Sequence, residues 1–189
     1  MERLYEEWSD RGRIERTSHA LLAGGRVWLI DPVDTPDLDD RVSSLGEPAA
    51  VLQLLDRHNR DCAAVAARLG IEHRRVWETA GDAPFTVLPV RRNRLWREVA
   101  LWDAETRTLV SPEALGTAAA FRAPGERLGW HPLVRPFPPR NVFEGLAPER
   151  ILVGHGPALE DGAAAALEEL LANGRRRTVA AWRAAVTSR

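Results

Sequence analysis

The sequence predicts an α/β domain in which sheet layers are covered by helices. Three observations carry this: apolar runs of strand length bounded by polar turns, helical runs interleaved with them, and a glycine-centred hairpin near the start. A chain of 189 residues can bury one substantial core, so residues 1–189 are read as a single domain. Its 44% hydrophobic and 28% charged residues match an ordinary globular protein and imply neither a disordered nor a membrane-embedded class.

The elements follow in order. Residues 19–31 read as a β-hairpin, because two apolar runs flank Gly24-Gly25, which can take the positive φ values of a tight turn. Thr35 is placed as the cap of a short helix that runs through Ser43-Ser44 and stops at Gly46. Residues 49–55 form a short apolar run. Residues 61–69 have helical spacing and end at Gly70, a suitable C-terminal cap. Short strands are expected at 85–90, 98–103 and 108–111. Prolines dominate 123–140, which predicts a loop lying over the surface. Ile151-Leu152-Val153 is a buried strand leading into Gly154-His155-Gly156-Pro157. Helices are expected at 161–172 and 175–187, the second with Val179, Trp182 and Val186 on one face.

Charge narrows the partners. All 26 basic residues are arginine and 27 acids offset them, so there is no global attraction to nucleic acid or to a membrane surface. No run of about 18 apolar residues occurs that would span a bilayer. The stretch from Met1 to Trp8 lacks the apolar core of a secretion signal, and the single Cys62 rules out an internal disulfide; a cytoplasmic protein is expected. Residues 91–97 are the most basic stretch. If extended, they place Arg92, Arg94 and Trp96 on one side, an interleaving that can bind phosphates and stack bases. A lined pocket or plain packing explains it as well, and nucleic acid is the least favoured of the candidate partners.

Four stretches bear on chemistry: Arg57-His58-Asn59-Arg60-Asp61-Cys62 before a helix, Val99-Ala100-Leu101-Trp102-Asp103, Thr108 to Gly116, and Val153-Gly154-His155-Gly156-Pro157. In this order, behind a hairpin, they resemble the metallo-β-lactamase superfamily over roughly residues 17–172. The resemblance implies a four-layer αββα sandwich with a metal site at one edge. In that family one strand ends in H-x-H-x-D-H. Here Arg57, Asn59 and Cys62 stand at the three histidine positions, and Asp61 keeps the aspartate. Counting back from Val99 places Arg94 at the next ligand position. Glu113 falls at the bridging aspartate, and His155 keeps the last histidine.

A metal ligand must offer a lone pair, whereas arginine stays protonated and has no acceptor atom. By the resemblance, Arg57, Asn59 and Arg94 therefore abolish the first metal position. Two accounts of the rest are open. In the preferred one the site is degenerate and holds no cofactor. Arg94 and Arg57 pair with Asp61 and Glu113, and the ancestral cleft binds an anionic small molecule or a protein without hydrolysis. In the alternative, Asp61, Cys62, Glu113 and His155 hold one zinc or iron ion in a mononuclear hydrolase. A minor third role makes Cys62 a thiolate nucleophile at a helix start. His19, His73 and His131 show no ligand spacing and are expected to be structural or exposed, and His58 is expected to point to solvent. The proline-rich interval between Glu113 and His155 leaves no room for the helical substrate domain of thioester-cleaving relatives, so their substrate is not carried across.

Overall fold

The computed structural model describes residues 4–10 and 16–187. Strands β1 (Tyr5–Asp10), β2 (Arg16–Ala23) and β3 (Arg26–Ile30) form an antiparallel ladder. Gly24 and Gly25, at φ 58° and 73°, turn the β2–β3 hairpin as expected. Helix α1 (Leu38–Leu45) then leads to β4 (Pro48–Gln53), and α2 (Cys62–Leu69) to β5 (Glu72–Arg75). Both strands join in parallel, giving a five-stranded sheet in the order β1-β2-β3-β4-β5. The residue at the N-cap of helix α1 is Asp37 rather than Thr35 and the helix stops at Gly46, while Gly70 caps α2 in the left-handed conformation.

The second sheet begins with the antiparallel β6 (Thr86–Asn93), β7 (Trp96–Asp103) and β8 (Thr108–Ser111). A segment carrying the short pair β9 (Leu115–Gly116) and β10 (Gly129–Trp130), with α3 (Arg140–Phe143), intervenes. Strand β11 (Arg150–Val153) then pairs in parallel with β8, completing the order β11-β8-β7-β6. Helices α4 (Ala163–Asn173) and α5 (Thr178–Thr187) follow.

Alternation along the strands makes the layers, because successive side chains point to opposite faces. Trp28, Ile30, Leu52, Val99, Leu101, Val110 and Leu152 fill the space between the sheets. Their neighbours Val27, Leu29 and Val51 face α1 and α2, burying Leu38, Val42, Val65 and Cys62. On the other outer face, Ala100, Leu109, Ile151 and Val153 pack against Ala163, Leu167 and Leu170 of α4. The order is helix, sheet, sheet, helix.

Two edge strands lie outside the sequence-based expectation. β5 is Glu-His-Arg-Arg, with no apolar alternation, and β1 carries only partial alternation. The proline-rich segment also departs from a surface loop. Ala123, Leu128, Trp130 and Val134 are all buried. Arg135 is fully buried with them, paired to Glu126 at 2.5 Å and donating to the carbonyls of Phe121 and Gly174 at 2.7 and 2.8 Å. Proline prevents a ladder but not burial, provided that the backbone oxygens find donors. On α5 the expected apolar face is present, yet Val179, Trp182 and Val186 remain exposed. Among the described residues no helix is long and apolar enough to cross a membrane.

Candidate metal centre

The site lies where the ends of both sheets meet. Asp31 follows β3 at φ 42°; one carboxylate oxygen accepts the Leu54 N–H at 2.9 Å and the other lies 2.9 Å from His58 Nδ1. His58 stands in a turn closed by its own N–H donating to the Leu55 carbonyl at 2.9 Å. Glu113 follows β8 through Pro112, and the N–H groups of Glu113 and Ala114 both donate to Glu98 Oε1, at 3.1 and 2.7 Å. The other oxygen of Glu98 accepts the Trp96 indole N–H at 2.7 Å. His155 follows β11, its carbonyl accepting the N–H groups of Thr117 and Ala118 at 3.1 Å each. The preceding Gly154 is required by close approach: a Cβ there would lie 2.1 Å from the Pro112 carbonyl oxygen.

Glu113 is the hub. Its Oε2 lies 3.0 Å from His58 Nε2 and 3.2 Å from His155 Nε2, and its Oε1 lies 3.1 Å from His131 Nε2. His131 Nδ1 accepts the Leu133 N–H at 3.2 Å, which puts the His131 proton on Nε2. His58, Glu113 and His155 each offer one ligand atom, all within 4.8 Å of one another. The rings of His58 and His155 meet edge to face at 5.7 Å, and Phe121 stacks on His155 at 5.5 Å.

The charges follow from these contacts. Burial opposes the charged form of Glu113, but hydrogen bonds from His131, His155 and His58 outweigh it and hold its carboxyl well below the usual carboxylate range. Burial likewise opposes an imidazolium at His58, yet the neighbouring Asp31 carboxylate raises its pKa above the ordinary value. Glu98, fully buried behind the hub, is pushed up to about 7 by desolvation. Arg60 ties the rim together, donating to the carbonyls of Thr17, Asp31 and Gly154 at 2.6, 2.8 and 3.1 Å. A cavity of about 430 Å³ opens above the hub, lined among others by Arg57, His58, Glu113, Phe121, His131 and His155.

The residues singled out from sequence are distributed unevenly. Glu113 and His155 meet at the hub, and exposed Arg57 lines the cavity with its guanidinium 4.2 Å from the Trp96 ring. Asp61 instead accepts the Asp34 N–H at 2.9 Å, and Asn59 accepts a Gln53 amide N–H at 3.2 Å. Cys62 is buried under the first sheet, its thiol donating to the His58 carbonyl at 3.5 Å. Burial pushes that thiol well above its ordinary pKa, the reverse of an activated thiolate. Arg94 is exposed at the β6–β7 turn and, among the described residues, makes no ion pair with Glu113 or Asp61. The expected Arg92–Arg94–Trp96 face is interrupted by that turn, and Trp96 is buried rather than free to stack on a base.

The displacement has a physical cause. Ligand positions at alternate residues presuppose an extended strand, but β4 ends at Gln53. Residues 55–61 turn, with Arg60 at φ 38° and Cys62 N–H bonded to the Asn59 carbonyl. The inward side chain is therefore His58, expected to point to solvent. Asp31 and His131 also lay outside the sequence-based expectation. An aspartate closing the run Val27 to Ile30 was an available signal for the first, while no spacing marked the second.

No protein-family model and no curated protein matches the sequence. Solved structures do. The DIM-1 metallo-β-lactamase aligns over 89% of this chain and 92% of its own, at 10% identity and a TM-score of 0.56. TTHA1623, solved in a di-iron-bound form, aligns over 85% of this chain and 96% of its own, at 19% identity and a TM-score of 0.56.

Proposed function

Starting from a chain that has the metallo-β-lactamase fold, we propose that it is a single-metal hydrolase. In this proposal His58, Glu113 and His155 hold one zinc or iron ion at the floor of a cleft that admits an anionic small molecule past Arg57. The observation that carries it is the convergence of three donor atoms within 4.8 Å. Two imidazoles and one carboxylate suit both hydrolytic zinc and non-haem iron. The donors fit an ion in a second respect. Asp31 takes the Nδ1–H of His58 and leaves Nε2 to face the centre, the support that metal-bound histidines use. Asp61 and Cys62, the ligands expected from the resemblance, are occupied elsewhere and form no part of this set.

A bound ion would supply an acidified water and polarise a carbonyl or phosphoryl oxygen. The chain's own residues do the positioning. His131 holds the second oxygen of Glu113, and Glu98 aligns the 113–114 backbone that carries it. Phe121, stacked on His155, covers one side of the hub. Arg57 offers positive charge at the entrance.

A metal-free account is supported by one specific observation. His58 lies between Asp31 and Glu113 at 2.9 and 3.0 Å, so an imidazolium there satisfies both carboxylates without an ion. The cleft would then bind an anion without hydrolysis. Turnover separates the two. Protein purified without chelator is assayed on 4-nitrophenyl acetate and 4-nitrophenyl phosphate. The proposal expects activity that EDTA removes, that zinc or ferrous iron restores, and that Glu113→Gln and His155→Ala reduce by about tenfold or more. No turnover at any metal loading overturns the hydrolase and leaves the anion-binding account.

A further inference from the structure

Beside the metal cleft lies a second cavity, of about 570 Å³, lined among others by Arg57, Arg91, Arg94, Leu95, Trp96 and Leu133. Arg57 lines both cavities, so the two adjoin at that side chain. We infer that this second cavity is a subsite for an organic phosphate with an apolar body, the substrate class of the hydrolase proposed above. The inference rests on that proposal only for the word substrate, because binding at the subsite uses none of the metal-centre side chains.

Among the described residues three guanidinium groups line the cavity, and no carboxylate does. The chain as a whole has a net charge of −1, so this surplus is local. Arg57 and Arg91 lie 4.2 and 6.0 Å from the one Trp96 ring, which is itself anchored on Glu98 through its indole N–H. A cation–π contact of this kind draws a guanidinium to the ring face and leaves N–H groups for an anion. Arg91 donates one N–H to the Phe137 carbonyl at 3.1 Å, while its buried Nε has no hydrogen-bond partner among the described residues. A phosphate dianion matches three such groups better than a monovalent carboxylate does.

The apolar half of the inference comes from the cavity's lips. Leu95, on the β6–β7 turn, is 82% exposed, and Leu133, from the segment after β10, is 75% exposed. Two large apolar side chains held in water beside a cationic cavity gain burial when the ligand brings an apolar portion.

The test uses hexyl phosphate as the probe, titrated calorimetrically into the protein as purified and after EDTA treatment. Inorganic phosphate and hexanoate serve as half-ligands. Hexyl phosphate is expected to bind about tenfold or more tightly than either. Arg94→Ala and Leu95→Asp are each expected to weaken it by about tenfold. Arg92→Ala, on the same hairpin but outside the cavity, should leave it unchanged, as should EDTA. Loss of turnover with intact hexyl phosphate binding would therefore count against the metal centre alone. Hexyl phosphate binding no tighter than hexanoate or inorganic phosphate, or as sensitive to Arg92→Ala as to Arg94→Ala, overturns the subsite. Retention of a single-stranded RNA weakened equally by both arginine variants overturns it in favour of nucleic acid.

Discussion

Gly154 sets how closely the two strand ends carrying Glu113 and His155 approach, since a Cβ at that position would meet the Pro112 carbonyl at 2.1 Å. Backbone cannot yield as a flexible side chain does, so Gly154→Ala is expected to cost about 1–3 kcal/mol or more, read from chemical denaturation. It should also weaken zinc binding, because relieving the clash separates two of the proposed ligands. Asp31→Asn acts differently. It keeps the shape but weakens the support for His58 Nδ1, and a loss of about 10–100-fold in metal affinity against a competing chelator is expected. Unchanged affinity would exclude Asp31 as a support. Glu113 and His155 were legible through the family resemblance, which the stretches Val110-Ser111-Pro112-Glu113 and Val153-Gly154-His155-Gly156-Pro157 carry. His58 was not, since its direction depends on a turn whose φ values no residue type announces. His131 depends on tertiary packing that brings the proline-rich segment back over Ala114, whose carbonyl accepts its N–H at 2.9 Å.

The element that decides the shape of the cleft is the segment between β9 and α3. Its core is the fully buried Arg135–Glu126 pair, bonded through both guanidinium nitrogens at 3.1 and 2.5 Å. Removing one partner of such a pair leaves a desolvated charge, so Arg135→Ala is expected to lose about 3–5 kcal/mol of stability. Arg135→Met combined with Glu126→Met should recover part of this, because the charge is then gone. A single variant as stable as wild type would show that the pair does not hold the segment. From sequence, the prolines announced the absence of regular structure but not the burial, which rests on long-range hydrogen bonds from Arg135 to Phe121 and Gly174. Strands with strong alternation were legible, as in Val99-Ala100-Leu101. The polar edge strand β5 was not, because it is fixed by its register with β4 rather than by its own residues.

Across the whole molecule the two sheets are tied beside the site. Thr17 N–H donates to the Gly154 carbonyl at 2.9 Å, and His19 Nε2–H donates to the Val153 carbonyl at 2.9 Å. Burial pushes the His19 pKa down to about 4, with Arg60 adding to the effect and Val153 and Asp31 opposing it; Glu7 Oε2 on β1 lies 3.6 Å from Nδ1. The native state thus keeps His19 neutral, whereas the unfolded chain protonates it below its ordinary value of 6.5. Stability contributed by the neutral ring is full above pH 6.5 and declines as pH falls towards 4. The loss amounts to about 3–4 kcal/mol at most, from about 1.4 kcal/mol per pH unit. Denaturation midpoints between pH 7 and 4 should therefore fall more steeply for wild type than for His19→Gln. Parallel slopes would mean that His19 does not titrate on unfolding. The layered fold was legible as a whole from the order of strands and helices, whereas the approach of His58 to Glu113 and His155 was not.

The central claim, also at this scale, is that the ends of both sheets converge to hold one ion through His58, Glu113 and His155. Calorimetric titration of zinc into protein stripped of metal tests it most directly. One ion per chain is expected, bound about tenfold or more weakly in His58→Ala and Glu113→Gln and unchanged in Asp61→Asn and Cys62→Ser. No saturable binding, or binding that depends on Asp61 and Cys62 while His58→Ala behaves as wild type, would contradict it.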